Sequence, residues 1–545
     1  MLVAVDGGRA SAHVKAETPA AGSAWAPLRL HVFRTLWFVQ LGSNLGSWMQ
    51  TVGAQWLLVG RPHAATLVAL VQTATTLPFM LLGLPAGAFA DVFDRRRLLL
   101  GLQASSVAVT GVMAAVTFLG HMSSALLLAL TFLLGCASAL ALPAWQAIVP
   151  ELVPREQLEN ASALGAMNYN VARAVGPAPA GVLVARTGAG TVFALNAASF
   201  LGGIVLLFGW RRPLPESEFA RERIWPALRA GGRYVWHAPV VRRILLRAAL
   251  FSVPAISLWA LLPLVASRRL GLGAAGYGLL LAAVGLGAVG GALLLPQLRT
   301  RLSPSWFFAG ATLLYAGALA VTGVVTHVAI VTLVLVPAGL AWVAILSSLN
   351  AAMQLILPDW VRARGLAVYQ LVFAGGQAGA AVVWGVLAQR VGLATALAVA
   401  ALLLAAGALT LTIWPLADAR GLDRSPAIYW PIPNLMLDPE ANRGPVLVTL
   451  AWRVEPEQVG AFLGAMERVR GSRLRTGASS WQLYRDGEEP TRFLELFVAP
   501  SWEEHLRQHG GRLTGADREF EQEAVAHATG PPEVAHLFPA RRRDA

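Results

Sequence analysis

Apolar residues gather, as far as about Pro415, into long stretches that short polar segments separate. A helix needs roughly 20 apolar residues to cross the hydrocarbon core of a bilayer. Twelve stretches fit this requirement, at residues 34–59, 65–90, 98–119, 122–147, 162–185, 188–210, 244–267, 274–298, 305–326, 328–356, 366–389 and 391–415. Because 56% of the 545 residues are hydrophobic and only 13% are charged, polar side chains are too few to cover a soluble protein of this size. The pattern predicts an all-α polytopic membrane protein with 12 transmembrane helices.

Two segments of the first six stretches recur in the last six. Gln146–Val153 recurs as Gln354–Val361, and Gly181–Gly188 recurs as Gly385–Gly392. An even number of spans gives both copies the same orientation, which is the arrangement of transporters that rock about a site at the membrane midplane. The repeat therefore predicts two six-helix pseudo-repeats and favours solute transport over a static anchor.

The net charge of +13 follows the same topology. Sixteen arginines lie in loops that face the cytoplasm if both termini are inside, and five lie in the opposite loops. This positive-inside bias predicts cytoplasmic termini in a bacterial inner membrane, with contact to anionic lipid and not to nucleic acid. Cys136 is the only cysteine, which excludes disulfides and thiolate metal sites.

After the last apolar stretch the pattern changes to that of a small soluble α+β domain. Its predicted order is strand, helix, strand, strand, helix, strand, which is ferredoxin-like. Its predicted elements are strands Val446–Val454, Ser479–Tyr484, Arg492–Val498 and Val534–Phe538, a helix Pro456–Arg470 and a second helix starting at Ser501. The predicted organisation is a disordered cytoplasmic tail (1–29), a six-helix bundle (30–210), a cytoplasmic linker (211–243), a second six-helix bundle (244–416), a connector (417–443), the α+β domain (444–538) and a basic tail (539–545).

The first cytoplasmic loop carries a small residue, a carboxylate and arginines at Gly87, Asp91, Arg95 and Arg96. The small residue lets two helices approach, and the arginines suit an anionic lipid surface. The segment resembles the loop signature of the major facilitator superfamily, in the form found in siderophore and macrolide exporters. It departs from that signature at Val92, where the superfamily usually has a basic residue.

The fifth stretch carries the charge that the pattern places at membrane depth. Asn170, Arg173 and Pro177 share one helix face, and a buried guanidinium should face a partner or a water-filled pathway. With Gly176 and Gly181 they resemble the fifth-helix signature of the superfamily's antiporters, which implies export. The alternative is that Arg173 only ties two helices together through carbonyl groups.

Uncharged polar residues line up on single faces of three further spans. They favour either a pathway that binds a solute weakly or interhelical hydrogen bonds, which are equally compatible with the pattern. The candidates are Asn44, Ser47, Thr51, Gln55, Asn350, Gln354, Gln370 and Gln377. The predicted spans contain no Asp or Glu, so proton coupling follows from the resemblance alone. The sequence also lacks the phosphate-binding loop motif that ATP-driven transport would require.

The α+β domain resembles the small dimeric barrels related to antibiotic-biosynthesis monooxygenases. Fused to twelve spans, it also resembles the bacterial transmembrane secretion effectors, and the resemblance implies a homodimer. His505 and His509, at i and i+4, are spaced for a metal, and with Trp481 and Trp502 they offer an oxygenase-like pocket. Because no third ligand at diagnostic spacing accompanies them, exposed helix histidines without metal or cofactor are the favoured interpretation.

Together these features predict a secondary active exporter of a small amphipathic or anionic solute, such as a siderophore, drug or secondary metabolite, working by alternating access. Two alternatives stay open. One is a membrane-tethered, cofactor-free monooxygenase, for which paired half-bundles would be superfluous. The other is a lipid-flipping facilitator.

Overall fold

A computed structural model describes residues 25–209, 224–415 and 444–540, together with residues 427, 429, 430, 433, 435 and 436. Most of the predicted N-terminal tail, the first part of the linker and most of the connector lie outside these residues. The side chains of Asp91 and Asp359 do too.

Helices make up almost all of the described chain before residue 415. In chain order they are α1 His31–Val59, α2 Ala64–Val92, α3 Arg95–Phe118, α4 Ser124–Leu152, α5 Leu158–Val175, α6 Pro177–Thr187, α7 Ala189–Gly209, α8 Ile224–His237, α9 Pro239–Leu264, α10 Ala274–Arg301, α11 Pro304–Val324, α12 Val328–Ile356, α13 Asp359–Val391 and α14 Leu393–Leu409. The predicted fifth span is thus two helices, α5 and α6. Pro177 and Pro179 have no N–H to donate into the preceding turn, so the hydrogen-bond ladder is interrupted there.

Within the described residues, nine helices are long and apolar enough to cross a membrane, and α14 adds a shorter apolar helix of 17 residues. The chain is therefore a multi-pass membrane protein. Helix α1 and the α5–α6 pair are not among the nine. Helices α1 and α5 carry buried polar side chains, including Gln50, Gln55, Asn168 and Arg173, which lower their mean hydropathy, and α6 has only 11 residues.

The packing of the first half recurs in the second. Helix α2 packs on α4 as α10 packs on α12, and α3 packs on α7 as α11 packs on α14. Between the halves, α2 packs on α13, and α10 packs on the α5–α6 pair. Exchanging the two halves converts the α2–α13 contact into the contact between α10 and the α5–α6 pair, as a two-fold relation requires.

The repeated sequence segments occupy equivalent places in this arrangement. Helix α6 ends at Gly188 and α13 ends at Gly392, and both glycines have positive φ angles, 83° and 89°, that few other residues adopt. A Cβ atom on Gly181 would lie 2.5 Å from the carbonyl oxygen of Ala274, at the start of α10. One on Gly385 would lie 2.7 Å from the carbonyl oxygen of Ala65, at the start of α2. Glycine at both positions lets the half-bundles touch.

These contacts close one end of the bundle. We call the end where α2 finishes and α13 begins the tail end, because the C-terminal domain contacts the bundle there. Contacts between the halves run from the opposite end to the middle, where Ala174 meets Gly285 and Met80 meets Gly375. Nearer the tail end, Gly87, Gly165 and Gly290 have open space where a Cβ would stand. In this conformation the half-bundles meet away from the tail and part towards it.

The C-terminal domain is a four-stranded antiparallel sheet covered on one face by helices. Its elements are β1 Val446–Arg453, α15 Val459–Thr476, β2 Ser480–Arg485, β3 Arg492–Ala499, α16 Trp502–Arg507, α17 Gly515–Ala526 and β4 Glu533–Leu537, with strand order β2-β3-β1-β4. Val448, Trp452, Phe462 and Phe497 belong to its core. The prediction that the first helix ends at Arg470 is wrong, because α15 continues to Thr476 and buries Arg473.

The glycine contacts yield a stability prediction. In Gly278→Ala the new methyl would lie 2.4 Å from the carbonyl oxygen of Pro177, so we expect a lower melting temperature in detergent, at an overpacking cost of about 1–3 kcal/mol. Gly290→Ala on the same helix is the matched control. It meets open space and should be neutral or more stable, since alanine is the better helix former by about 1 kcal/mol. Equal melting shifts in both variants would contradict the contact.

Candidate functional site

Arg173 lies near the end of α5, one helical turn before the hydrogen-bond ladder is interrupted at Pro177. Its side chain is 6% exposed, and one guanidinium nitrogen donates to Oδ1 of Asn170 at 2.7 Å. Its Nε has no hydrogen-bond partner among the described residues, and no described carboxylate pairs with it. A buried cation with unused donors is costly in a membrane and is a functional candidate by default. Such a group can bind an anionic or hydrogen-bond-accepting part of a solute.

Aromatic rings from both halves lie beside this arginine. The Trp48 ring centroid lies 6.1 Å from that of Tyr169, one helical turn before Arg173, and 5.9 Å from that of Trp259 in the second half. Trp259 in turn lies 5.5 Å from Trp342 on α12. Tyr169 is 51% exposed, so the group is open on one side. Large flat rings beside a cation suit a solute with an apolar body and a polar or anionic group.

The polar residues of α1 divide between two roles. Asn44 donates to Oδ1 of Asn168 at 2.9 Å, and Asn168 donates to the carbonyl oxygen of Trp37 at 2.7 Å, which ties α1 to α5. The hydroxyls of Ser47 and Thr51 donate to carbonyl groups of their own helix. For Asn44, hydrogen bonding between helices, one of the two predicted alternatives, is therefore what the structure contains.

Gln55 joins the halves near the closed end. Its Oε1 accepts a hydrogen bond from the Tyr277 hydroxyl of α10, and its Nε2 donates to the carbonyl oxygen of Trp259 at 3.4 Å. Tyr277 also stacks on Trp56, with centroids 6.1 Å apart. This polar contact, which involves a predicted pathway residue, forms part of the closure between the halves.

The amides of α12 and α13 are spread along the bundle. Asn350 and Gln354 bond to each other at 3.2 Å near the tail end of α12, where Gln354 is exposed. On α13, Gln377 is buried near the middle, whereas Gln370 is exposed. The structure does not gather these four residues around Arg173 as one cluster.

The loop between α2 and α3 anchors neighbouring helices. Arg95 donates to Oε1 of Glu151 at 2.7 Å, and Arg96 donates to the carbonyl oxygens of Leu207 and Phe208 at the end of α7, at 2.7 and 2.9 Å. The second contact pairs a cation with the negative end of a helix dipole. Gly87 has open space where a Cβ atom would stand. The close helix approach predicted at this residue is therefore not seen among the described residues in this conformation.

A second buried arginine corrects the prediction of a single intramembrane charge. Arg247 of α9 is 5% exposed and donates to the carbonyl oxygens of Gly407, Thr410 and Trp414 at the end of α14. Arg247 was not predicted as a membrane charge because it lies only a few residues inside a predicted span. Its donors are occupied by a helix C-terminus, whereas Arg173 has donors to spare.

The C-terminal domain brings three histidines together. His505 and His509 are 1% and 9% exposed, so their interpretation as exposed helix residues is wrong. His536 of β4 joins them, and we call the three the histidine cluster. Burial lowers the pKa of His505 to about 3; the neighbouring His509 and His536 lower it further, and the hydrogen bond that His505 donates to Gln508 acts in the opposite direction. Burial also lowers the pKa of His536. Both imidazoles are therefore neutral near pH 7.

The segment that carries two of these histidines also contacts the membrane domain. Glu504 accepts from Arg512 at 2.8 Å and from Arg233 at 3.4 Å, and the Arg512 guanidinium lies 4.8 Å from the ring centroid of Trp360 on α13. Burial alone would raise the pKa of Glu504, but these arginines hold it below its ordinary value. A cleft of about 510 Å³ lies between Trp360, Arg364 and this segment.

Family comparison covers nearly the whole chain. A family model described as transmembrane secretion effector matches residues 22–544. The chain belongs to this family. Its major-facilitator resemblance, predicted from the loop and fifth-helix motifs, is confirmed by relatives of the same exporter branch.

Three curated relatives match parts of the chain. The staphyloferrin A transporter of Staphylococcus aureus is 31% identical over 163 residues, which are 30% of this chain and 41% of the relative. The multidrug efflux pump Tap of Mycolicibacterium fortuitum is 26% identical over 38% of this chain and 53% of its own length. The macrolide efflux protein A of Streptococcus pyogenes is 24% identical over 28% and 37%. The matches thus span about half or less of each relative.

Solved structures share the fold. A bacterial homologue of the human lysosomal transporter Spinster, in an inward-facing conformation, covers 71% of this chain and 95% of its own, with a TM-score of 0.54 and 17% identity. The nucleoside transporter NupG covers 70% and 99%, with a TM-score of 0.58 and 11% identity. At these identities the likeness shows a transporter fold and no shared substrate.

Proposed function

We propose that this protein is a secondary active exporter that moves a small amphipathic or anionic solute by alternating access. The observation that carries the proposal is Arg173, a buried guanidinium with unused donors, one helical turn from Tyr169, whose ring belongs to an aromatic group that reaches Trp259 of the second half. Its anionic or polar partner would be the solute, which shields the charge during passage. The efflux proteins for macrolides and drugs among the relatives support the direction, and these together with the staphyloferrin A transporter support the substrate class.

The proposed topology has twelve spans in two six-helix copies, with both termini in the cytoplasm of a bacterial cell and the protein in its inner membrane. Helix α1 and the α5–α6 pair would complete the count with α14. The arginine bias of the loops supports this orientation, and it makes the tail end the cytoplasmic end. The conformation described here would then be open to the cytoplasm, ready to take up a solute for export.

The driving ion is proposed only by analogy. Exporters of this superfamily commonly exchange a solute for protons, yet the predicted spans of this chain contain no Asp or Glu. Carboxylates occur at helix ends instead, at Glu151 and Asp359. We therefore propose proton coupling without assigning a proton carrier inside the bundle.

Removing the Arg173 charge should change what is exported. In proteoliposomes, we expect Arg173→Ala to transport an acidic dye about tenfold more slowly, because a charge-assisted hydrogen bond contributes about 1.5–3 kcal/mol. A neutral ester of the same dye should be affected far less, and Arg173→Lys should be intermediate. Initial transport rates measure both.

The matched control for this experiment is Arg186→Ala, which removes an exposed arginine at the end of α6. It should leave both rates near those of the unchanged protein. An Arg173→Ala protein that is monodisperse, folded and unaltered in its preference between the two dyes would overturn the assigned role. Loss of both rates in a protein that still folds would show an essential helix contact instead of a solute contact.

We further propose that the C-terminal domain is ferredoxin-like and forms a homodimer on the cytoplasmic side. One sheet face packs on α15 and α17, while the other presents Leu447, Leu494, Leu496, Val498 and Leu537 outside the buried core. An apolar sheet face of this kind suits pairing with the same face of a second copy. The dimeric barrels that the domain resembles support this choice of partner.

A charge on that face should separate the copies. We expect the unchanged protein to be dimeric in detergent and Leu496→Arg to be monomeric, because a guanidinium cannot be buried between two sheets without a partner. Leu463→Arg places the same change at an exposed position of α15 and should stay dimeric. Mass photometry measures the state. A monomeric unchanged protein, or equal behaviour of both variants, would contradict pairing through the sheet.

A further inference from the structure

The histidine cluster joins two separate elements of the C-terminal domain. His505 lies on α16, and His509 lies in the π-helical turn that follows at Gln508–Arg512. His536 lies on strand β4, opposite Val448. The Nε2 atom of His505 is 2.9 Å from Nε2 of His536 and 3.2 Å from Nε2 of His509. Three ring nitrogens therefore point at one small region.

Neighbouring hydrogen bonds assign the tautomer of His505. The Thr476 hydroxyl donates to the carbonyl oxygen of Ser472 at 2.9 Å, so it accepts from Nε2 of Gln508 at 3.2 Å. This orients Oε1 of Gln508 towards Nδ1 of His505, at 3.0 Å. Because a carbonyl oxygen only accepts, Nδ1 carries the proton. Nε2 of His505 is left with a lone pair, the form in which histidine binds metals.

A simple hydrogen-bond chain accounts poorly for this arrangement. The one lone pair on Nε2 of His505 faces two further imidazole nitrogens, yet it can accept well from only one donor. Ligand nitrogens around a tetrahedral zinc ion, with bonds of about 2.0–2.1 Å, lie about 3.3 Å apart. The two observed separations are within a few tenths of an ångström of that spacing, and all three ligand atoms lie within 4.8 Å of one another.

The surroundings support a shielded site. The Trp430 ring centroid lies 5.0 Å from that of His509, the Trp502 centroid lies 5.5 Å from that of His505, and Phe497 lies 6.0 Å from His505. Trp430 is itself held by a hydrogen bond to Oε2 of Glu521 at 2.9 Å. Apolar rings exclude water and keep the imidazoles in place, as in metal sites whose ligands are fixed before the ion arrives.

We propose that the histidine cluster binds one divalent transition-metal ion through the Nε2 atoms of His505, His509 and His536. Three imidazoles suit zinc, copper, iron or nickel in preference to calcium or magnesium, which take oxygen ligands. A fourth position is left for water or an added ligand. Gln508 acts as a positioning residue, because its carbonyl oxygen fixes the tautomer and ring orientation of His505.

The test uses the full-length protein, purified through a tag without histidine and stripped with a chelator. Titration with Zn²⁺ against a competing indicator should show one tight site for each chain, with a dissociation constant below about 1 µM. His536→Gln and His505→Gln should abolish this site. Gln508→Leu should weaken it by about 10- to 100-fold, as loss of a partner behind a metal ligand typically does.

His527→Gln is the matched control, since His527 belongs to the same domain, is partly exposed and bonds to Gln458 instead of the cluster. It should retain the tight site. Failure of the unchanged protein to bind Zn²⁺, Cu²⁺ or Ni²⁺ tightly would overturn the proposal, as would equal binding by His536→Gln and the unchanged protein.

A second measurement uses the unchanged protein, so its outcome does not depend on whether any variant folds. X-ray absorption of the zinc-loaded, unchanged protein should show three imidazole nitrogens at about 2.0–2.1 Å. A shell of oxygen ligands without the imidazole signature would place the metal elsewhere and leave the three histidines as packed core residues.

Discussion

The architecture of the membrane domain depends on how closely the two half-bundles approach each other at the end away from the tail. In lipid, helices gain little from burying apolar surface, so association needs close packing of small residues. Gly181 against Ala274 and Gly385 against Ala65 provide that packing at two equivalent places, where a side chain would strike a backbone carbonyl. These two contacts hold the half-bundles together at this end. They close one end and leave the other end apart, so the polar interior faces the tail side.

The chemistry of the interior depends on which buried arginine has hydrogen-bond donors left unpaired. Arg247 and Arg173 are about equally buried. Arg247 donates hydrogen bonds to carbonyl groups at the end of α14, whereas Arg173 has one side-chain amide as its partner. At Pro177 the hydrogen-bond ladder is interrupted, although Gly176 keeps helical angles (φ −55°, ψ −46°), and Arg173 lies one turn before this point. A charge beside an interrupted helix ladder and an aromatic group combines the features expected of a solute site.

The repeat is what made the fold predictable. Gly188 and Gly392 could be paired from the sequence, and they end equivalent helices with the same positive φ. The sequence predicts which polar residues share a helix face, but it does not predict their hydrogen-bond partners. Asn44 pairs with Asn168, while Gln55 pairs with Tyr277 of the other half, because helix rotation and tilt determine which side chains meet. His536 was beyond sequence reasoning for a similar reason. Its strand was predicted, but only the order of strands in the sheet brings it beside α16.

The most direct measurement of the central claim is a pair of distances between the halves, obtained by pulsed electron resonance in lipid nanodiscs. With Cys136 replaced, spin labels at His121 and His327 report the end away from the tail, and labels at Glu156 and Leu302 report the tail end. Addition of an exported solute or a pH gradient should lengthen the first distance as the second shortens. Distances that stay fixed, or that lengthen and shorten together, would contradict a pathway that opens to one side at a time.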